Sequence, residues 1–293
     1  MVRFLVLLIA GFAFHCQISG QEIHYYGVNS KPVEQVDDAV VTKEVKQKSE
    51  KRYVVRTRQN NGTGWEQVSK EKIRVQRDGT LLIYYRSDRF FPKKIYRRMV
   101  EVGPGLYEFE ESTLKSKIRS GTSMEFLPLH LDGPVTEYHP NGNIKSLSDF
   151  HDNQLVSNQN WLSDGTPYID SIFFSADPEP EFKLGNDFFR SYLIQQLGKS
   201  KLDLSQVEDV VVIGWVVMET GNIDGAIALE GKSRQLNQFL VKTIAELPGE
   251  WQPAELNGTP VRYFMSIPLS FLHKEANFQE VEFSSGMLHY NRY

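Results

Sequence analysis

The chain has 293 residues, with 33 Lys and Arg, 37 Asp and Glu and a formal net charge of −4. Hydrophobic residues make up 40% and charged residues 24%, an ordinary globular composition that excludes a disordered or collagen-like chain. One cysteine, Cys16, excludes a disulfide framework and a multi-thiolate metal centre.

Residues 1–20 read as an export signal. Arg3 precedes an apolar run from Phe4 to Phe14, and the small residues Ser19 and Gly20 follow. Cleavage is expected between Gly20 and Gln21. That run rises only about 17 Å as a helix, against roughly 30 Å of bilayer hydrocarbon. A retained anchor is the alternative. Cleavage would remove Cys16 and leave a thiol-free chain, suited to the periplasm or cell envelope.

Charge is unevenly spread. Residues 42–120 hold 20 Lys and Arg against 10 Asp and Glu, whereas residues 121–293 hold 11 against 23. The densest basic stretch is "FFPKKIYRRMV". Such a segment faces an anionic surface or nucleic acid, or is the solvated face of a β-rich domain. The solvated face is the preferred reading, and no nucleic acid is expected for an exported chain.

From residue 21 to 177 the pattern is strands and turns. "TLLIYYRS" and "GLYEFEES" are β-type runs behind Asp78-Gly79 and Gly103-Pro104-Gly105. Asn141-Gly142 and Asp164-Gly165 are strong hairpin turns, because both of their residues tolerate positive φ. They lie 23 residues apart, the period of a two-strand repeat. "SADPEPEF", residues 175–182, reads as a linker.

Behind it the period changes. Phe189, Leu193 and Leu197 recur every four residues, predicting a helix over Asp187 to Leu197. "EDVVVIGWVVMETG" predicts a strand buried on both faces. Thr220-Gly221-Asn222 turns it into "IDGAIALEG". Ser233 then starts a second helix with a stripe of Leu236, Leu240, Ile244 and Leu247, stopped by Pro248 and Gly249. "LPGEWQPAELNGTPV" follows, a connection that must be rigid. Pro253 fixes φ, Asn257-Gly258 makes the return turn, and Trp251 pins the loop on the core. In "PVRYFMSIPLSF", Val261, Tyr263, Met265, Ile267, Leu269 and Phe271 alternate with the residues between them, predicting a half-buried strand.

Two resemblances stand on these residues. Tyr138, Asn141, Gly142 and Lys145, then Trp161, Asp164 and Gly165, resemble the YwqK-type antitoxin-component repeats, relatives of the MORN repeat, and residues 23–40 resemble their lead-in. The segment 182–271 resembles the TonB C-terminal domain. Val210 to Val217, Gly221, Leu247-Pro248, Trp251, Pro253-Ala254, Asn257-Gly258, Pro268, Leu269 and Phe271 stand in the places of its motif. The family's Tyr-Pro after the first helix and its long Pro-rich span are missing. The resemblances imply an α+β chain. An N-terminal all-β repeat or meander domain of MORN-like hairpins (21–177) would precede a TonB-like two-layer α/β domain with a small antiparallel sheet (178–293). Phe278, Val281 and Phe283 in the tail would add a strand or cover an edge.

The implied function is an exported protein- or peptide-binding module in TonB-related transport across the outer membrane. Pro268 lacks a donor and belongs at an edge or bulge, which leaves 261–267 open for strand addition. The expected site is Val261, Arg262, Tyr263, Phe264, Met265 and Ser266, with Arg262, Phe264 and Ser266 facing out. The expected partner is an envelope protein or a receptor's extended peptide, and a homodimer is a further option. A membrane-anchored energy transducer component and a purely structural repeat protein are the alternatives. An enzyme is not expected, nor a cofactor or metal. None of the seven histidines stands in a ligand motif, and only His139 and His151, with Asp149 and Asp152, share a hairpin.

Overall fold

The computed structural model describes residues 21–87, 90–202, 204 and 209–271. The expected export signal, and the tail strand around Phe278, Val281 and Phe283, lie outside the described residues.

Hairpin follows hairpin through the first half. The strands are β1 Gln21–Tyr26, β2 Pro32–Val33, β3 Val41–Ser49, β4 Arg52–Asn60, β5 Trp65–Val75 and β6 Leu81–Ser87. Next come β7 Phe90–Gly103, β8 Leu106–Ser112, β9 Lys117–Ser123, β10 Leu131–Tyr138, β11 Ile144–His151 and β12 Gln154–Asn160. They form one antiparallel sheet in the order β12-β11-β10-β9-β8-β7-β6-β5-β4-β3-β1-β2. From β3 to β12 consecutive strands pair with each other, whereas β1 lies between β3 and the edge strand β2.

The period-2 pattern decides which face is buried. On β6 the side chains of Leu81, Ile83 and Tyr85 are buried, whereas Tyr84 and Arg86 are exposed. With Val45, Val55, Ile73 and Ile95 they form one apolar cluster, against which Phe126 and Leu127 pack. The sheet is rolled so that its two ends meet. Asn29, between β1 and β2, donates Nδ2 to the Leu155 carbonyl on β12 at 3.0 Å, and Asn153 donates to the Ser30 carbonyl at 3.1 Å.

The last third carries β13 Ile172–Phe173, β14 Glu181–Phe182, α1 Asn186–Lys199, β15 Asp209–Val217, β16 Ile223–Glu230, α2 Arg234–Ala245, β17 Trp251–Gln252, β18 Ala254–Leu256 and β19 Thr259–Phe271. Here the sheet order is β13-β19-β15-β16, with β18 also on β19. The helix faces carry the expected stripes. Phe189, Leu193 and Leu197 of α1, and Leu236, Leu240 and Ile244 of α2, are buried in one core with Val211, Ile213, Trp215 and Val217 of β15. Burying one such side chain contributes roughly 1.5–3 kcal/mol.

The α+β fold class is corrected by this architecture. The described residues are mostly β, with 55% strand and 13% helix, and the twelve-stranded antiparallel sheet dominates them rather than a TonB-like two-layer α/β domain. The physical reason is that residues 50–125, which lack the repeat motif, keep the strand period without a break. They therefore extend a single sheet instead of separating small units. The C-terminal sheet also takes β13, in parallel, from the segment before residue 178.

Trp251 answers why its loop is so constrained. Its ring is buried, with centroids 5.1 Å from Phe182 and 6.0 Å from Trp215. Its backbone N–H donates to the Gly221 carbonyl at 2.9 Å.

Candidate functional site

The strand expected to be an open edge lies inside the sheet. Along one side β19 pairs with β15 from Tyr263 to Phe271. Along the other, Val261 pairs with Ala254 of β18, and Arg262 and Tyr263 pair with Ile172 and Phe173 of β13. Half of the expected docking strand is thus occupied by the chain itself. The Asn257-Gly258 turn folds β18 back onto it, and the connection out of the large sheet supplies β13.

The expected side chains are also engaged. Arg262 donates Nε to Glu219 at 2.9 Å and Nη1 to the Asp170 carbonyl at 2.9 Å. Tyr263 is buried, and burial, with Glu179 beside it, raises its phenol pKa. Phe264 packs on Phe174 with ring centroids 5.9 Å apart. Beyond Tyr263, at Phe264, Met265 and Ser266, β19 pairs among the described strands with β15 alone.

A second border was not anticipated. Among the described strands, β16 has β15 on one side and nothing on the other. At its first half Tyr168 donates its hydroxyl to the Gly225 carbonyl at 2.5 Å, so residues 168–169 cover that stretch. Burial, with Asp224 nearby, raises the Tyr168 pKa, which keeps this donor protonated. Ile227, Ala228 and Leu229 then border a cleft of about 1070 Å³. Its other walls are α2, the β8–β9 turn with the start of β9, the β10–β11 turn and the Leu162–Asp164 turn.

The cleft is cationic. Lys117, Lys145, Lys232, Arg234 and Lys242 line it, against Glu137 and Asp164. Lys117 bonds Glu110 at 2.9 Å, which raises its pKa, and its ammonium lies 4.9 Å over the Tyr138 ring. Lys242 lies 3.8 Å from Glu246. Arg234 has no ion-pair partner among the described residues. Asn237 adds an acceptor, because its side-chain oxygen is buried without a hydrogen-bond partner while its nitrogen donates to the Gly231 carbonyl at 3.0 Å.

The cleft's far wall rests on the two turns with hairpin chemistry. Asn141 and Asn143 donate to the Ser163 carbonyl at 2.6 and 2.9 Å, and His139 bonds the Trp161 carbonyl at 2.8 Å. These links staple one turn to the next. His139 and His151 do not meet, since they sit at opposite ends of the β10–β11 hairpin. Among the described residues no group of three or more His, Cys, Asp or Glu side chains is placed to hold a metal. No described helix is long and apolar enough to cross a membrane.

No protein-family model, curated protein or solved structure matches this chain.

Sequence reasoning placed a strand at "IDGAIALEG" without giving it a role. Gly225 was the available signal for a close approach, since a Cβ there would meet Tyr168 and Ile169; nothing in the stretch marks the unpaired half.

Proposed function

We propose that this chain is a binding protein that captures an extended peptide by adding a strand to β16 inside the cleft. The observation that carries the reading is the side of β16 that pairs with no other described strand at Ile227–Leu229, where the strand borders a cavity of about 1070 Å³. An unpaired strand border offers N–H and C=O groups in register for a partner backbone, and adjacent pockets take alternate side chains. Ile227, Leu229 and Val241 supply apolar contact, and the surrounding lysines and Arg234 favour acidic side chains.

The location goes with this reading. The apolar run behind Arg3 and the absence of cysteine after Cys16 favour an exported protein acting in the periplasm or cell envelope. Its ligand is then an extended segment of another envelope protein.

Isothermal titration of the full chain against ten-residue acidic peptides of β-type sequence tests the reading. Saturable binding in the micromolar range, weakened at least fivefold by Lys232→Glu with Lys242→Glu, is expected. No heat at high micromolar peptide overturns it.

A further inference from the structure

The strongest charge pattern lies away from the cleft, on the outward face of β4 to β7. Cross-strand partners share a face, as do alternate residues along one strand. The register sets Val54, Lys72, Tyr84 and Lys94 in one row, and Arg52, Arg74, Leu82 and Tyr96 in the next. On the other side of the first row Lys70 faces Arg86. Besides Arg56, which faces Lys70 and is paired with Glu44, six cations stand on four adjacent strands: Arg52, Lys70, Lys72, Arg74, Arg86 and Lys94. All but the half-buried Lys70 are exposed. No carboxylate stands among them in these rows.

Two of the acids on the flanks are committed to other cations. Glu44 binds Arg56 at 2.9 Å and lies 3.5 Å from Arg58, and Glu110 holds Lys117 at 2.9 Å. The second row ends in a concavity of about 780 Å³, whose wall adds Lys51 and Arg77 against Asp78. Like charges directly opposite each other repel. The facing pairs Arg52 with Arg74 and Lys70 with Arg86 thus call for an external anion.

We propose that this outward face of β4–β7 docks the protein on a membrane surface rich in anionic phospholipid. The cations spread over several strands in two dimensions, matching a field of headgroup phosphates rather than the single track of a polymer backbone. Single-stranded nucleic acid would also need open ring faces for its bases. Here the Lys94 ammonium lies 5.6 Å over the Tyr84 ring, and Tyr96 is half-buried. Attraction to a charged leaflet grows with each surface cation and is screened by salt.

The test is co-sedimentation of the full chain with vesicles of phosphatidylcholine alone or with 30% phosphatidylglycerol, alongside a dT20 oligonucleotide. The apolar N-terminal run is common to every variant, so differences between variants report this face. Wild-type protein is expected to prefer the anionic vesicles at least tenfold at low salt and to lose the preference in 0.5 M salt. Lys72→Gln with Arg74→Gln is expected to weaken anionic binding about 25-fold, from about fivefold per cation. The exposed positions make this neutral pair compatible with folding, which circular dichroism checks. Lys232→Gln with Lys242→Gln, in the cleft and of the same charge change, is expected to weaken anionic binding less than about threefold. Equal binding to both vesicle types overturns the proposal. So does a double variant that binds as wild type, or oligonucleotide binding without vesicle binding.

Discussion

Arg97 donates Nε to Oε1 of Glu111 at 2.6 Å, across the β7–β8 ladder and inside the rolled sheet, where the Glu111 side chain has no solvent exposure. Arg119 on β9 binds the other carboxylate oxygen, also at 2.6 Å. Burial alone would raise the Glu111 pKa, but the Arg119 and Arg97 guanidiniums reverse this and hold it at about 2. Glu71 and Lys43 point to the same interior. There burial pushes the Glu71 carboxyl above its ordinary range and the Lys43 ammonium below.

Glu111→Gln is expected to destabilise the chain by about 3–5 kcal/mol at pH 7, because two buried guanidiniums lose their carboxylate. Urea unfolding of wild type and variant measures it. The folded pKa lies below the unfolded value of about 4.3, so on acidification the unfolded chain takes up this proton first. The contribution is complete above about pH 5 and falls away towards pH 2. The gap between wild type and Glu111→Gln should therefore narrow across that window, and a constant gap would contradict the assignment.

Gly221→Ala should cost about 1–3 kcal/mol. Gly221 has φ +83°, and an added Cβ would contact the Trp251 carbonyl oxygen too closely for any side chain to adapt. Because Trp251 packs on Trp215 and Phe182, the variant should also shift tryptophan emission to longer wavelength. Unchanged emission with unchanged stability would show that the loop tolerates the substitution.

Asn141→Ala removes the bond to the Ser163 carbonyl and the turn bond accepted from the Asn143 N–H at 3.1 Å. A loss of about 1–2 kcal/mol is expected, confined to the stapled turns. Hydrogen exchange should speed up at Gly142, Asn143 and Gly165 while β4–β7 stays protected. Uniform acceleration would mean that the staple supports the whole sheet.

Ala228→Arg and Ser270→Arg separate the two strand borders. Ala228 is an exposed side chain on β16 that lines the cleft, whereas Ser270 stands on β19 opposite Val210. If β16 takes the peptide, Ala228→Arg weakens titration at least tenfold and Ser270→Arg leaves it unchanged. The reverse outcome moves the site to the far half of β19.

Much of the local structure was legible in the residues. The helix predicted over Asp187 to Leu197 is α1, and of the predicted stripe Leu236, Leu240 and Ile244 are buried on α2, while Leu247 lies past its end at Ala245. The strand read as buried on both faces is β15, where Val211, Val212, Ile213, Trp215, Val216 and Val217 are all excluded from solvent. Trp251 does pin its loop. These features depend on side-chain period, caps and turn residues acting within about ten positions of each other, so the sequence states them directly.

The site was not legible, because a strand's border is decided by residues far away in the chain. Arg262 and Tyr263 look open until Ile172 and Phe173, about ninety positions earlier, pair beside them. Nothing in "IDGAIALEG" says that its other side stays bare, or that the stapled turns at Asn141 and Ser163 stand across from it. The hairpins of the twelve-stranded sheet likewise read as short repeats until its ends meet at Asn29 and Leu155. By itself the sequence determined which segments are helix or strand and which face each one buries, since those follow from local period. Only the tertiary structure decided how far the sheet runs, how it rolls and which border pairs with no other described strand, since backbone pairing is non-local and every strand offers the same N–H and C=O groups.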